Sequence, residues 1–193
     1  MTERAVHALR AEALAALAAA TQAANSAPDV ESALRYSTAA TQEALGDTEA
    51  HLRPDGLRAG EHQFTDSGIL LITPDRQHHL LVAEHGFPPA QPRLRIPIDL
   101  GHPGWVAQHQ RPLALANTDE APDFRQILKT ARMSSALFGP MVWRGQMLGR
   151  VLTAAQARHT SGPIDLDIFM GFAHVAAAVS MAHGGPEWLR TLG

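Results

Sequence analysis

Between Leu94 and His183 the chain reads Gly101-His102-Pro103-Gly104-Trp105, then Leu113-Ala114-Leu115-Ala116-Asn117, then Arg132-Met133-Ser134-Ser135-Ala136-Leu137-Phe138-Gly139-Pro140, then Gly145-Gln146-Met147-Leu148-Gly149-Arg150-Val151-Leu152. The order is strand, helix, strand, helix, β-hairpin and long helix, with little slack between elements. Ser135 to Trp143 and Met147 to Ala155 are the apolar arms of a central hairpin around Arg144-Gly145-Gln146. A core hairpin whose partners arrive by short helical crossovers, closed by a C-terminal helix, makes a sheet with helices over it. Such a sheet can hold a pocket.

Working outward, Gly68 to Thr73 and His78 to Glu84 form a second hairpin around Pro74-Asp75-Arg76-Gln77, a run rich in turn formers. Pro97 confines the short strand Leu94 to Ile98 to an edge. Gly101 launches a helix through Gln110, and Thr118 or Asp119 caps another that ends near Ala131. Ser161 is placed to cap the last helix, with Pro163 in its first turn and Ile164, Ile168, Phe172, Val175, Ala176 and Val179 as its buried stripe.

Toward the N-terminus, Val6, Leu9, Ala13, Ala16, Leu17 and Ala20 recur at helical spacing, so 3–24 is an amphipathic helix. Ser26-Ala27-Pro28-Asp29 supplies the start of a second helix, stopped by Gly46. Its Ala39-Ala40-Thr41-Gln42 nearly repeats Ala19-Ala20-Thr21-Gln22. The expected division is a helical pair at 1–46 for packing or dimerisation, a main domain at 47–183 and a C-terminal tail at 184–193. Residues 46–66, with Pro54, Gly56 and Gly60, are expected to form a short ordered piece or a lid.

This arrangement resembles a GAF domain, the sensory relative of PAS domains. The resemblance rests on the glycine-started helix at Gly101, the apolar strand ending at Asn117, the strand opened by Arg132 and Ser134 and closed by Pro140, the Gly145 to Gly149 hairpin and the final amphipathic helix. It implies an α+β fold: a GAF/PAS-like central antiparallel sheet with helices on both sides, preceded by two N-terminal helices. It also implies a non-catalytic, cytoplasmic sensor of a small molecule or anion that signals to a partner such as a histidine kinase or transcription regulator. Nitrate receptors of bacterial two-component systems are the nearest analogy.

Composition narrows the function further. With 16 basic and 19 acidic residues and a formal charge of -3, no polycationic surface exists for a nucleic-acid backbone. There are no cysteines, which removes thiolate catalysis and thioether-linked chromophores together. The methionine sulfoxide reductase and bilin photoreceptor forms of the resembled family, both cysteine-dependent, are thereby set aside. Ala13 to Ala20 is alanine-rich, keeps helical spacing and borders Glu12, so it reads as a helix rather than a secretory leader. No apolar run is expected to reach the roughly 20 residues of a membrane span.

Two places could carry recognition. At Gly101-His102-Pro103-Gly104-Trp105 a helix start presents backbone N–H groups to an anion, glycines allow close approach and Trp105 offers a face. The bland reading is a tight turn whose Trp fills core. Near the central hairpin, Arg132 with Ser134 or Ser135 lies where the resemblance places a ligand cavity, with Asn117 at the end of the neighbouring strand. Arg132 would equally offset the dipole of its own helix. Gly101, His102, Gly104, Trp105, Asn117, Arg132, Ser134 and Ser135 are therefore the candidate ligand-binding set. Asp119, Glu120 and Asp123 are sufficiently explained as capping and dipole residues. Eleven histidines show no pair four apart in a helix, so a haem- or metal-binding sensor is the less favoured reading and no cofactor is expected. The expected activity is a ligand-binding sensor working as a homodimer. The rival is a ligand-free interaction module docking through its terminal helices.

Overall fold

The computed structural model describes residues 3–87, 92–122, 124–127 and 132–192. Its helices are α1 (Glu3–Asn25), α2 (Val30–Ala44), α3 (Gly101–His109), α4 (Pro163–Ala182) and α5 (Gly185–Arg190). Its strands are β1 (Thr65–Ile72), β2 (His78–His85), β3 (Arg95–Pro97), β4 (Leu113–Leu115), β5 (Ser135–Trp143) and β6 (Gln146–Ala155). They form a single antiparallel sheet in the order β3-β2-β1-β6-β5-β4.

Two hairpins supply the four middle strands. The β1–β2 turn is built on Thr73, whose hydroxyl accepts from the His78 N–H at 3.0 Å, and on Asp75, whose carboxylate accepts from the Thr73 hydroxyl at 2.6 Å and the Gln77 N–H at 3.0 Å. The β5–β6 turn holds Arg144 and Gly145 at φ 48° and 77°. Positive φ at both central residues matches the right-handed twist of the flanking strands, and Gly145 adopts it without penalty. Pro97 lies on β3 at the sheet edge, as its missing N–H requires.

The period of two in the strands sends alternate side chains to two cores. On one face α2 and α4 cover Ile69, Leu71, Val82, Leu137 and Val151. Helix α4 comes closest at Gly139, where a Cβ would lie 2.8 Å from the Phe169 ring. That approach turns α4 so that Phe169, Ala173 and Ala177 join Phe172, Ala176 and Val179 inside, while Ile164, Ile168 and Val175, expected in the stripe, are only half-buried. By length and composition α4 would suffice to cross a membrane, contrary to the expectation from sequence; here its buried face packs on the sheet. Helix α1 packs on α2 and α4 through Ala13, Ala20 and Ala24. Small residues allow that close helix contact.

Several ends differ from expectation. Asp29 caps α2 by accepting from the Ser32 N–H at 2.7 Å, while the Ser26 hydroxyl bonds back into α1. At α4 the cap residue is Gly162, whose N–H donates to Asp165 at 2.7 Å; Ser161 is occupied by donating its N–H to the Ser135 hydroxyl. The helix expected from Thr118 toward Ala131 is replaced by one 3₁₀ turn at Thr118–Glu120, capped by Asn117, followed by irregular backbone at 121–122 and 124–127. Asp123 and 128–131 lie outside the described residues. Residues 46–66 form an ordered piece with a 3₁₀ turn at Ala50–Leu52. Residues 184–193, expected as a tail, contain α5, whose Leu189 joins the α4-side core.

Candidate functional site

The sheet face away from α2 and α4 forms the floor of a cavity, and strand register sets what lines it. Leu81, Leu70, Arg150 and Pro140 stand side by side across β2, β1, β6 and β5. Leu152 and Phe138 form the next pair, and Ala154 and Ala136 the one beyond. Over this floor lie Phe87, the first turn of α3 through His102 and Pro103, and the segment 124–127. The cavity volume is about 50 Å³. The His102 ring closes one wall, stacked over Phe138 with centroids 6.4 Å apart and tilted against Phe124 at 5.7 Å.

Arg150 is the feature that apolar patterning does not explain. It is 0 % exposed, lines the cavity, and none of its three guanidinium nitrogens has a hydrogen-bond partner among the described residues. Burial pushes its pKa down to about 9, which leaves the guanidinium charged at neutral pH. A buried charge is ordinarily paired, since leaving water costs several kcal/mol. His79, on the same face of β2, is no counter-ion: burial first, then the Arg150 charge, push its pKa down to about 3, so it is a neutral imidazole.

Asp66 is no counter-ion either. Register sets it opposite Ala154, four residues along β6 from Arg150. Its carboxyl is wholly buried and has no hydrogen-bond partner among the described residues, and burial raises its pKa to about 8. The acid is therefore mostly neutral at pH 7.

Of the residues singled out by sequence, His102 lines this cavity. Gly101 takes φ 57° to start α3. Gly104 is demanded by the chain itself, because a Cβ there would lie 2.2 Å from the carbonyl carbon of Asp99. Trp105 is 37 % exposed and stacks on His109 with ring centroids 4.5 Å apart, away from the cavity. Asn117 accepts from the Asp119 N–H at 3.1 Å and donates to Glu120 at 2.9 Å. Ser135 accepts from Ser161, whereas the buried Ser134 hydroxyl has no partner among the described residues.

Arg132 pairs with Asp119 at 2.6 Å. Asp119 is thereby more than a capping residue, because it also accepts from Arg58 at 2.6 Å and from the buried Arg158 at 2.8 Å. Arg158 reaches on to Glu61 at 3.0 Å and to the Gly56 carbonyl at 3.3 Å. This network pins the piece at 46–66 to the end of β6. Burial would raise the Asp119 pKa, but the Arg158 hydrogen bond and the surrounding guanidinium charges hold it below the usual carboxylate range.

Sequence reasoning passed over Arg150 as part of a hairpin motif. The signal that could have found it was its place in the alternation Arg150, Leu152, Ala154 on a central strand, where a cation breaks an otherwise apolar face. No group of three or more His, Asp or Glu arranged for a metal occurs among the described residues.

Comparisons with known proteins agree with this architecture. The GAF domain family matches residues 29–179. Among solved structures, the GAF domain of a phosphoenolpyruvate-protein phosphotransferase from Coxiella burnetii superposes with a TM-score of 0.70 at 23% identity, over 90% of this chain and 97% of that one. The corresponding GAF domain from Acinetobacter gives 0.68 at 18% identity, over 95% and 97%. Free methionine-R-sulfoxide reductase from Neisseria meningitidis, in complex with its substrate, gives 0.69 at 14% identity, over 96% and 95%. A comparison with curated protein sequences gave no match.

Proposed function

Because the chain belongs to the GAF domain family, whose members serve signalling and regulation, we propose that it is a non-catalytic sensor that takes an anionic small molecule into the cavity over its sheet. The observation that carries this reading is the wholly buried guanidinium of Arg150 on the cavity floor, which has no hydrogen-bond partner among the described residues. A guanidinium presents a rigid fork of N–H donors suited to carboxylate and other oxyanions. Leaving it unpaired destabilises the empty protein, and an anion that enters recovers that energy as binding. A structural neighbour is itself seen in complex with its substrate, which supports the fold as a small-molecule container.

His102 then acts as a cavity wall, and the start of α3 as its support rather than as an anion nest. Occupancy is read out through the segments roofing the cavity, and the recipient is a partner signalling protein. Native mass spectrometry of the purified protein tests the reading. A bound small molecule, absent from the Arg150→Met variant, is expected; a protein that never carries a ligand and gives no shift with any anion would leave an interaction module in its place.

A further inference from the structure

The cavity's chemistry narrows the ligand class, and the narrowing rests on the sensor reading above. We infer that the ligand is a short-chain monocarboxylate, its carboxylate gripped by Arg150 on the cavity floor and its hydrocarbon tail lying against Phe138, Leu152 and Leu81.

Charge sets the first limit. On the cavity floor Arg150 is the buried cation, flanked across the strands by Leu70 and Pro140. One guanidinium neutralises one negative charge, and a dianion would carry a second charge into an apolar chamber without compensation. Arg125, which also borders the cavity, is exposed to solvent and remains hydrated.

The distribution of donors sets the second. A carboxylate satisfies both oxygens on the planar fork through two parallel N–H···O bonds. Nitrate, sulfate and phosphate carry further oxygens, and the floor around Arg150 offers them Leu70, Leu81, Leu152 and Phe138. Desolvating those oxygens without a donor is unfavourable, whereas the tail of a carboxylic acid meets the same walls favourably.

Size sets the length of that tail. A cavity of about 50 Å³, at roughly 10–15 Å³ for each water-sized occupant, holds roughly four such groups. That room suits an acid of roughly two to four carbons, the carboxylate included. Long fatty acids and nucleotides are too large for it.

The test is calorimetric titration of the full chain with acetate, propionate, butyrate, valerate and octanoate, beside butyramide, nitrate, sulfate and succinate. Propionate or butyrate is expected to bind best and octanoate not at all. Butyramide, nitrate, sulfate and succinate are expected to bind at least about a hundredfold more weakly, the loss of two charge-assisted hydrogen bonds or of the apolar tail. Arg150→Met is expected to abolish carboxylate binding. Ala154→Leu, which keeps the cation and fills the floor, should shift preference toward acetate.

If nitrate or succinate bound as tightly as butyrate, or butyramide did, the monocarboxylate assignment would fall while the sensor reading stood. The assignment would fall in the same way if no carboxylate bound yet native mass spectrometry found another molecule that Arg150→Met loses. If nothing bound by either measurement, both would fall.

Discussion

Arg150 and Asp66 lie on the same sheet face as opposite departures from the rule that buried groups are neutral or paired. Arg150 stays charged and has no hydrogen-bond partner among the described residues. Arg150→Met, close in length and apolar, is therefore expected to raise the stability of the unliganded protein by about 1–4 kcal/mol in a denaturant titration. Asp66 resolves the same conflict by holding its proton. Its ordinary value of 3.8 rises to about 8 on burial, so at intermediate pH the folded state retains a proton that the unfolded chain has released. The stability linked to this group is full below the ordinary value and is lost as pH rises toward about 8. Asp66→Asn should flatten that decline. Urea midpoints that fell equally between about pH 5 and about pH 8 in wild type and variant would contradict the assignment.

At the scale of elements, the glycine in the first turn of α3 distinguishes a packing role from a binding role. Gly104→Ala drives a Cβ against the Asp99 backbone and is expected to destabilise by about 1–3 kcal/mol in denaturant titration. Any loss of butyrate affinity in the remaining folded protein should follow from displacement of the His102 and Pro103 wall that the same turn carries, and should be far smaller than that of Arg150→Met. The elements themselves were legible because β1, β2, β5 and β6 are largely apolar runs buried on both faces, because α1 keeps helical spacing, and because glycine and proline mark their ends. The segment after β4 was not: Thr118, Asp119 and Glu120 look like a helix start, yet Asp119 is drawn into pairs with Arg58, Arg132 and Arg158, partners remote in sequence. A local pattern cannot anticipate such a tertiary tie. The same holds for α4, whose inward face is set by the close approach at Gly139 rather than by its own apolar stripe.

On the scale of the whole molecule, two devices join what the sheet alone leaves separate. Arg158 ties the piece at 46–66 to β6 and to the Asp119 turn. Arg158→Met should cost about 2 kcal/mol, and limited proteolysis should cut first between residues 53 and 61. Equal protease resistance in wild type and variant would show that the network does not hold that piece. Helix α1 lies outside α2 and α4, so the sheet's second face stays free for the cavity. The family was legible from the order and spacing of elements, because that order fixes the topology. The cavity's anchor was not, because a residue on a strand declares its burial only when the neighbouring strands and the roof are in place. Sensing through Arg150 comes down to the melting temperatures of wild type and Arg150→Met, each with and without saturating butyrate. The variant is expected to melt higher than wild type when empty, and butyrate to raise the wild type alone. A variant that melts lower, beside a wild type that butyrate leaves unmoved, would contradict Arg150 as the anchor of a monocarboxylate.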